Sequence, residues 1–417
     1  MSPQAIVVLI VLVDLLGFSI VMPLLPRFAS HYGFDAIQIG LLLAAYPLLQ
    51  LIAGPILGRL SDRYGRRPIL VLSQAGTAIS FIILGLSRNY TVMLLARMLD
   101  GASGGNILVA QAYMADVTKP ENRARGLGLI GAAFGVGFVL GPLMGGILLS
   151  PSLPISEAWR PSVPFLVAAG FSTIAWLLVL FKLPESAPIG GGDRKRARVI
   201  TLEGLMGTIR APRIAALVAV SALVVTAFSA LEGTFSLYLK DRMGWDASKA
   251  AYMFAYLGFL TAFVQGGLIR PLVKRFGERP LVIFGLVTVA AGFASIALAP
   301  TVFALYAAVA IVALGQGLAS PSVQGLISRL TSDDEQGSIF GVLTSASTLA
   351  RMINYVFANF LLDRYGASAP FFEASLLALS GLCVAVATVV PRRSNAARTV
   401  APTAAVASAD FDASTRS

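Results

Sequence analysis

Gly58 to Pro68 reads GRLSDRYGRRP and gathers four arginines and one aspartate into eleven residues. The chain around it is only 13% charged, with a mean hydropathy of +0.79. The stretch before it, IQIGLLLAAYPLLQLIAGPIL (37–57), carries no charge, and neither does the stretch after it, ILVLSQAGTAISFIILGLS (69–87). A charged link of about ten residues between two apolar runs of about twenty has the lengths of a tight turn at a membrane surface.

The whole composition points the same way. Hydrophobic residues make up 56% of the 417 positions, against ~45–50% in soluble domains. A net charge of +11 would suggest nucleic acid or acidic partners for a soluble protein; in a membrane protein what matters is which side holds it. The single cysteine, Cys383, lies in an apolar run, which excludes disulfides and CxxC metal sites, and the lone His31, read as part of a short loop, cannot build a His-rich one. No G-x-x-x-x-G-K-[ST] phosphate loop occurs, nor a paired nucleophile and base. Neither an enzyme nor an ATP-driven pump is expected, and no metal or cofactor. The N-terminus lacks a basic region and a small-residue cleavage site, so Ile6 to Pro26 is expected to stay as a first span.

Apolar runs recur at 5–26, 37–57, 69–87, 91–115, 126–149, 163–183, 213–238, 247–269, 280–299, 302–325, 337–361 and 370–390, here called spans 1 to 12. Each is long enough to cross a hydrocarbon core ~30 Å thick as a helix, and helices satisfy their own backbone groups in lipid. The expected fold is all-α with twelve transmembrane helices. The loops after the even-numbered spans, with the C-terminal tail, hold most of the 32 Lys and Arg. The other side has only Arg27, Arg88, Arg160, Lys240, Arg242, Lys249 and Arg364. Both termini are therefore expected in the cytoplasm, with the basic charge on the inner surface and no nucleic-acid partner.

An internal repeat divides the chain. GPILGRLSDRYGRRP (54–68) aligns with GGLIRPLVKRFGERP (266–280) at an offset of 212, with Gly54/Gly266, Leu60/Leu272, Arg63/Arg275, Gly65/Gly277, Arg67/Arg279 and Pro68/Pro280 identical. Almost the same offset pairs TKPENRARGLG (118–128) with TSDDEQGSIFG (331–341). Two pseudo-symmetric six-helix halves are expected, 1–183 and 213–391. A Gly-rich basic cytoplasmic linker (184–212) would join them, and a small, polar, disordered tail (392–417) would follow. Such halves are a common transporter plan.

The charged turn resembles the signature loop of the major facilitator superfamily, G-x-L-a-D-r-x-G-r-k/r, through Gly58, Asp62, Arg63, Gly65, Arg66 and Arg67. Gly65 permits positive φ, and Pro68 is placed to open the next helix as its first residue. Asp62 can meet helix N-terminal dipoles or the nearby arginines. The resemblance implies a cytoplasmic latch between the halves. Three more motifs are similar to those of drug/proton antiporters: LVDLLGFSIVMPLLP (12–26), with Asp14, Gly17, Pro23 and Pro26 in register; RMLDG (97–101), with Arg97 and Gly101; and GVGFVLGPLMGG (135–146), with Gly137, Gly141, Pro142, Gly145 and Gly146. AYMADVT (112–118), RARGLG (123–128) and LPES (183–186) read like the tetracycline-resistance branch. Exporters of that branch carry further acids in spans 3 and 9. This chain has none there, with Ser80 in span 3, and instead places Asp100, Glu232 and Arg351 inside spans.

Ionisable residues within spans are costly and usually functional. Asp14 is nine residues into span 1, roughly 14 Å deep, and Asp100 lies at a similar depth in span 4. On one continuous helix, Arg97, Asp100, Gly104 and Gln111 would share a stripe about 60° wide. Arginine keeps its proton, so a carried proton would sit on Asp14 or Asp100; alternatively Arg97 and Asp100 only neutralise each other. Glu232 and Arg351 are either a second pair or contacts for a charged substrate group. Asn354 and Tyr355 lie on the face of Arg351, and Tyr46 and Gln50 either line the cavity or pack against a neighbour. The helix 5 glycines are packing residues first. The resulting expectation is a monomeric, multi-pass transporter of the cell membrane, energised by the proton gradient, that exports small amphipathic or lipophilic compounds. Two alternatives stand beside it: a facilitator or proton symporter importing a nutrient, and a non-transporting membrane sensor.

Overall fold

A computed structural model describes residues 2–119, 122–186, 211–332 and 335–389. The tail at 392–417 and nearly all of the linker lie outside the described residues. Helices are the only regular elements among those described, and they form twelve rods. Eleven rods are long and apolar enough to cross a membrane. The twelfth, span 11 (Gln336–Tyr365), is 30 residues long and carries Arg351, Asp363 and Arg364.

Local chemistry sets the rod ends. Span 1 (Pro3–Val21) is capped by Ser2, whose hydroxyl accepts from the Ala5 amide. It stops five residues before the expected end, because Pro23 and Pro26 restart the chain as a short helix, Leu25–His31. His31 thus closes a helix rather than sitting in a loop. Span 2 (Ala36–Tyr64) opens with a capping box between Asp35 and Gln38 and closes at Gly65, where φ is 99°. Span 3 begins at Arg66 (Arg66–Leu86), so Pro68 is the third helical residue rather than the first. Span 4 is broken: Tyr90–Ser103 and Asn106–Val117 are separated by Gly104 and Gly105. Span 8 passes from Ala247–Phe263 through a π-turn, Val264–Leu268, into Ile269–Phe276.

The packing repeats between the halves. Spans 1·5, 1·6, 2·4 and 3·6 pair in the first, and 7·11, 7·12, 8·10 and 9·12 pair in the second. Each half therefore encloses its own core. They meet where span 2 packs on span 11 and span 5 on span 8. The named contacts of this seam lie away from the Gly58–Pro68 loop. Gly40 is pressed against the backbone of Tyr355 and Val356, Gly146 against Tyr252, and Ile20 and Leu24 against Ala251. The Ser248 hydroxyl donates to Gly146 O at 2.7 Å, and Arg27 Nη2 donates to Trp245 O at 3.1 Å. Burial lowers the Arg27 guanidinium below its usual range, against the pull of Asp246 and Asp241. Toward the loop, Asn106–Val117 packs on spans 1, 2, 3 and 5 of its own half, while span 10 packs on spans 7, 8 and 9. The halves thus form a cleft that opens at the loop-bearing end.

Candidate functional site

Above the closed end of that cleft lies a layer of buried polar groups. The break in span 4 builds its centre. Because Gly104 and Gly105 end one helix and start another, Asn106 points its amide at Asp14 of span 1, with Nδ2 donating to Oδ2 at 2.6 Å. Oδ1 of Asp14 is buried without a hydrogen-bond partner, and the residue is 7% exposed. Gln74, 1% exposed on span 3, is its other polar neighbour. One turn before the break, Arg97 Nη1 donates to Asp100 Oδ2 at 2.7 Å, both residues at most 5% exposed. Arg97 Nε reaches Leu42 O at 3.4 Å, and its guanidinium lies 4.8 Å from the Tyr46 ring centroid. Asp100 acts electrostatically on Asp14, so the two carboxylates belong to one layer. Ser80 stands beside Asp100.

Span 2 closes over this group. Gln50 Nε2 donates to Tyr46 Oη at 3.0 Å and to Gly104 O at 2.9 Å, and span 4 comes so close that a Cβ at Gly101 would overlap Tyr46 O. Across the seam, Arg351 and Tyr355 of span 11 face Tyr46, Gln50 and Arg97 around a void of about 40 Å³. A water in liquid occupies ~30 Å³, and drug-sized ligands need ~300–1,000 Å³. The layer is closed to such a molecule in this conformation. Glu232 accepts from Tyr355 Oη at 2.7 Å. No ion pair joins Glu232 to Arg351, whose Nε is buried without a partner. Asn354 turns away from the void and donates to Thr226 O at 2.9 Å and Ser229 Oγ at 3.2 Å on span 7.

Gln111 stands apart. It is exposed, beyond the break at Gly104 and Gly105, so the continuous stripe expected from Arg97 to Gln111 does not exist. The sequence reading missed Asn106, Gln74 and Phe18, which also lines the void. The paired glycines before Asn106 were the available signal for its turn. It also passed over Glu373 of span 12, whose Oε2 is buried without a hydrogen-bond partner.

The loop motif is a second polar cluster, formed inside the first half. Arg66 Nη1 meets Asp62 at 2.6 Å and Ser61 Oγ at 2.6 Å, and its Nε meets Asp116 of span 4 at 3.2 Å. Glu185 of the LPES stretch, rather than Asp62, caps span 3: its oxygens accept from the Arg66 and Arg67 amides at 2.8 and 3.1 Å. Arg67 Nη2 also donates to Leu180 O at 2.6 Å. Gly58 O accepts from Ser61 Oγ at 2.7 Å, and exposed Arg63 lies over the Tyr64 ring. In span 5, Gly137 and Gly141 pack on Leu15 and Ser19 of span 1, and Gly145 on Leu24 in the turn after it. Pro142 has no amide, so Phe138 O receives no bond from it. Gly258 of span 8 backs onto that carbonyl, where a Cβ would stand 2.5 Å away.

Two pseudo-symmetric six-helix halves, parted at one end around a buried layer of acids and arginines, define a multi-pass membrane transporter rather than an enzyme. The chain belongs to the Major Facilitator Superfamily, whose family model matches residues 7–271 and 266–411. It is 34% identical over 357 residues to the class C tetracycline resistance protein of Escherichia coli, covering 84% of this chain and 87% of that one. It is 26% identical to multidrug resistance protein 2 of Bacillus subtilis (strain 168), over 89% of this chain and 91% of that protein. The crystal structure of the human organic anion transporter MFSD10 superposes with a TM-score of 0.66 at 25% identity, covering 92% of this chain and all of that one.

Proposed function

We propose that this transporter is a proton-driven antiporter that exports small amphipathic or lipophilic compounds by alternating access. The observation that carries the reading is Asp14: a carboxylate inside a span, one oxygen held by Asn106 and the other without a partner. A buried carboxyl with a free oxygen has a place for a proton, and the Arg97–Asp100 pair beside it changes the field it feels. That its relatives include a tetracycline resistance protein and a multidrug resistance protein supports outward transport as the direction.

The bias of basic residues among the loops supports a cell-membrane protein with both termini and the Gly58–Pro68 end facing the cytoplasm. The cleft then opens inward, ready to take a compound from the cytoplasm. Asp14 and Asp100 carry or relay the proton and Arg97 biases them. Tyr46, Gln50, Arg351, Tyr355 and Glu232 wall the substrate path, and the loop of Asp62 and Arg66 sets which conformation is favoured. No cofactor takes part, and the monomer is the working unit. The test is substrate-dependent proton movement in proteoliposomes loaded with a drug panel under an imposed pH gradient. Uphill drug movement that collapses with a protonophore is expected. Drug movement indifferent to the gradient would remove the coupling from this reading.

A further inference from the structure

The internal repeat lays two equivalent corners at the loop-bearing end of the bundle, and they are filled differently. In the first half, Gly65 turns the chain and the amides opening span 3 donate to both oxygens of Glu185. In the second half, Gly277 repeats the turn with φ of 77°, and span 9 opens at Glu278 with no side-chain cap. The chain leaving span 12 continues as VPRRS (390–394), which lies outside the described residues and has no acid in its sequence, where the chain leaving span 6 reads LPES (183–186). In place of a carboxylate the second half has a cavity of about 520 Å³ lined by Arg213, Arg279, Arg329 and Glu278. Glu278 is engaged by Arg329 at 2.7 Å. Arg213 and Arg279 have no ion-pair partner among the described residues. The wall continues in apolar Phe276 and Leu330, 52% and 42% exposed.

We propose that this corner binds the phosphate of an anionic membrane lipid. By the repeat, the amides of Glu278 and Arg279 correspond to the two that Glu185 caps in the other half, and Arg213 and Arg279 line the same cavity. Backbone amides at a helix start and guanidinium forks are both suited to phosphate oxygens. Free phosphate would leave the apolar wall unused, whereas acyl chains lie along Phe276 and Leu330. A basic pocket at the surface of the leaflet is where anionic headgroups collect.

The test uses the full-length protein in neutral detergent, with lipid binding read by native mass spectrometry and by thermal melting. Phosphatidylglycerol, phosphatidylcholine and inorganic phosphate are compared at equal concentration. Phosphatidylglycerol should bind and raise the melting temperature, and the other two should not. Arg213→Gln with Arg279→Gln should weaken phosphatidylglycerol binding at least fivefold, and the corresponding double Lys variant should retain part of it. Equal binding of phosphatidylcholine, equal protection by inorganic phosphate, or unchanged binding by the double Gln variant would each overturn the assignment. So would phosphatidylglycerol binding seen only after residues 392–417 are removed, since the tail would then be the occupant. If the Gln variant does not fold, the Lys variant and the comparison of lipid classes on the unaltered chain decide. Neither readout depends on transport, so the result is independent of whether export proves proton-coupled.

Discussion

At the scale of single residues, Asp14 and Asn106 make a claim about protons that can be checked directly. Asp14→Asn removes the titrating oxygen and keeps the shape, so drug should still bind while uphill, gradient-driven export is lost. Export at the original rate by Asp14→Asn would take the proton off this residue. The Arg97–Asp100 pair needs a different experiment. Breaking a buried pair on one side leaves an uncompensated charge costing about 3–5 kcal/mol, so Arg97→Ala should fold poorly. Arg97→Ala with Asp100→Ala should recover expression, and proton flux on the same preparations separates two roles. Expression without coupling assigns Asp100 to the relay, and normal coupling in the double variant means that the pair is dispensable. Asp14, Arg97 and Asp100 stood out in the sequence because charge within an apolar run is rare and visible. Asn106 and Gln74 did not, since an amide costs less to bury and carries no such contrast. Only their placement against Asp14 by folding reveals them.

At the scale of elements, rod number and order were legible because length and apolarity alone decide them. The exceptions arise where backbone chemistry beats hydrophobicity. Gly104 and Gly105 interrupt a run that is still apolar enough to span a membrane, so the broken span 4 was invisible to a hydropathy reading. The start of span 3 was misplaced for a related reason. Pro68 suits a first helical position, but Glu185, more than a hundred residues away, caps the two residues before it. Sequence neighbourhood cannot show such a cap. Losing a side-chain N-cap costs about 1 kcal/mol, a factor of about five in a local opening equilibrium. Hydrogen exchange at the amides of Arg66 and Arg67 should therefore quicken about fivefold in Glu185→Ala, with span 9 unchanged. Exchange that stays as before would mean the cap is not held in solution.

For the whole molecule, the question is what keeps the two halves together at one end and apart at the other. The loop of Asp62 and Arg66 ties spans 2, 3 and 4 within its own half in this conformation, which supports the proposed role in the balance between states rather than in substrate contact. Asp62→Asn should lower turnover strongly while leaving equilibrium drug affinity within a few fold. A large loss of affinity would place Asp62 in the binding path instead. The seam itself can be loosened at Gly258, where any larger side chain meets Phe138 O. On a Cys383→Ala background, a cysteine at Thr348 should be labelled from the loop-bearing side. Adding Gly258→Val should slow that labelling at least threefold, because the opposite opening is then favoured; unchanged labelling would mean the seam does not govern access. The carbonyl that Pro142 leaves without its helix bond has a wider bearing. It faces Gly258, which has no side chain to bond it, and a Cα–H contact to a carbonyl is worth about 0.5–1 kcal/mol at most, so at this point along the seam span 8 can withdraw without breaking a conventional hydrogen bond. The first water to enter finds an acceptor already bare. At that point the opening path is primed for hydration, and solvent takes over the place of the departing helix as the two halves separate.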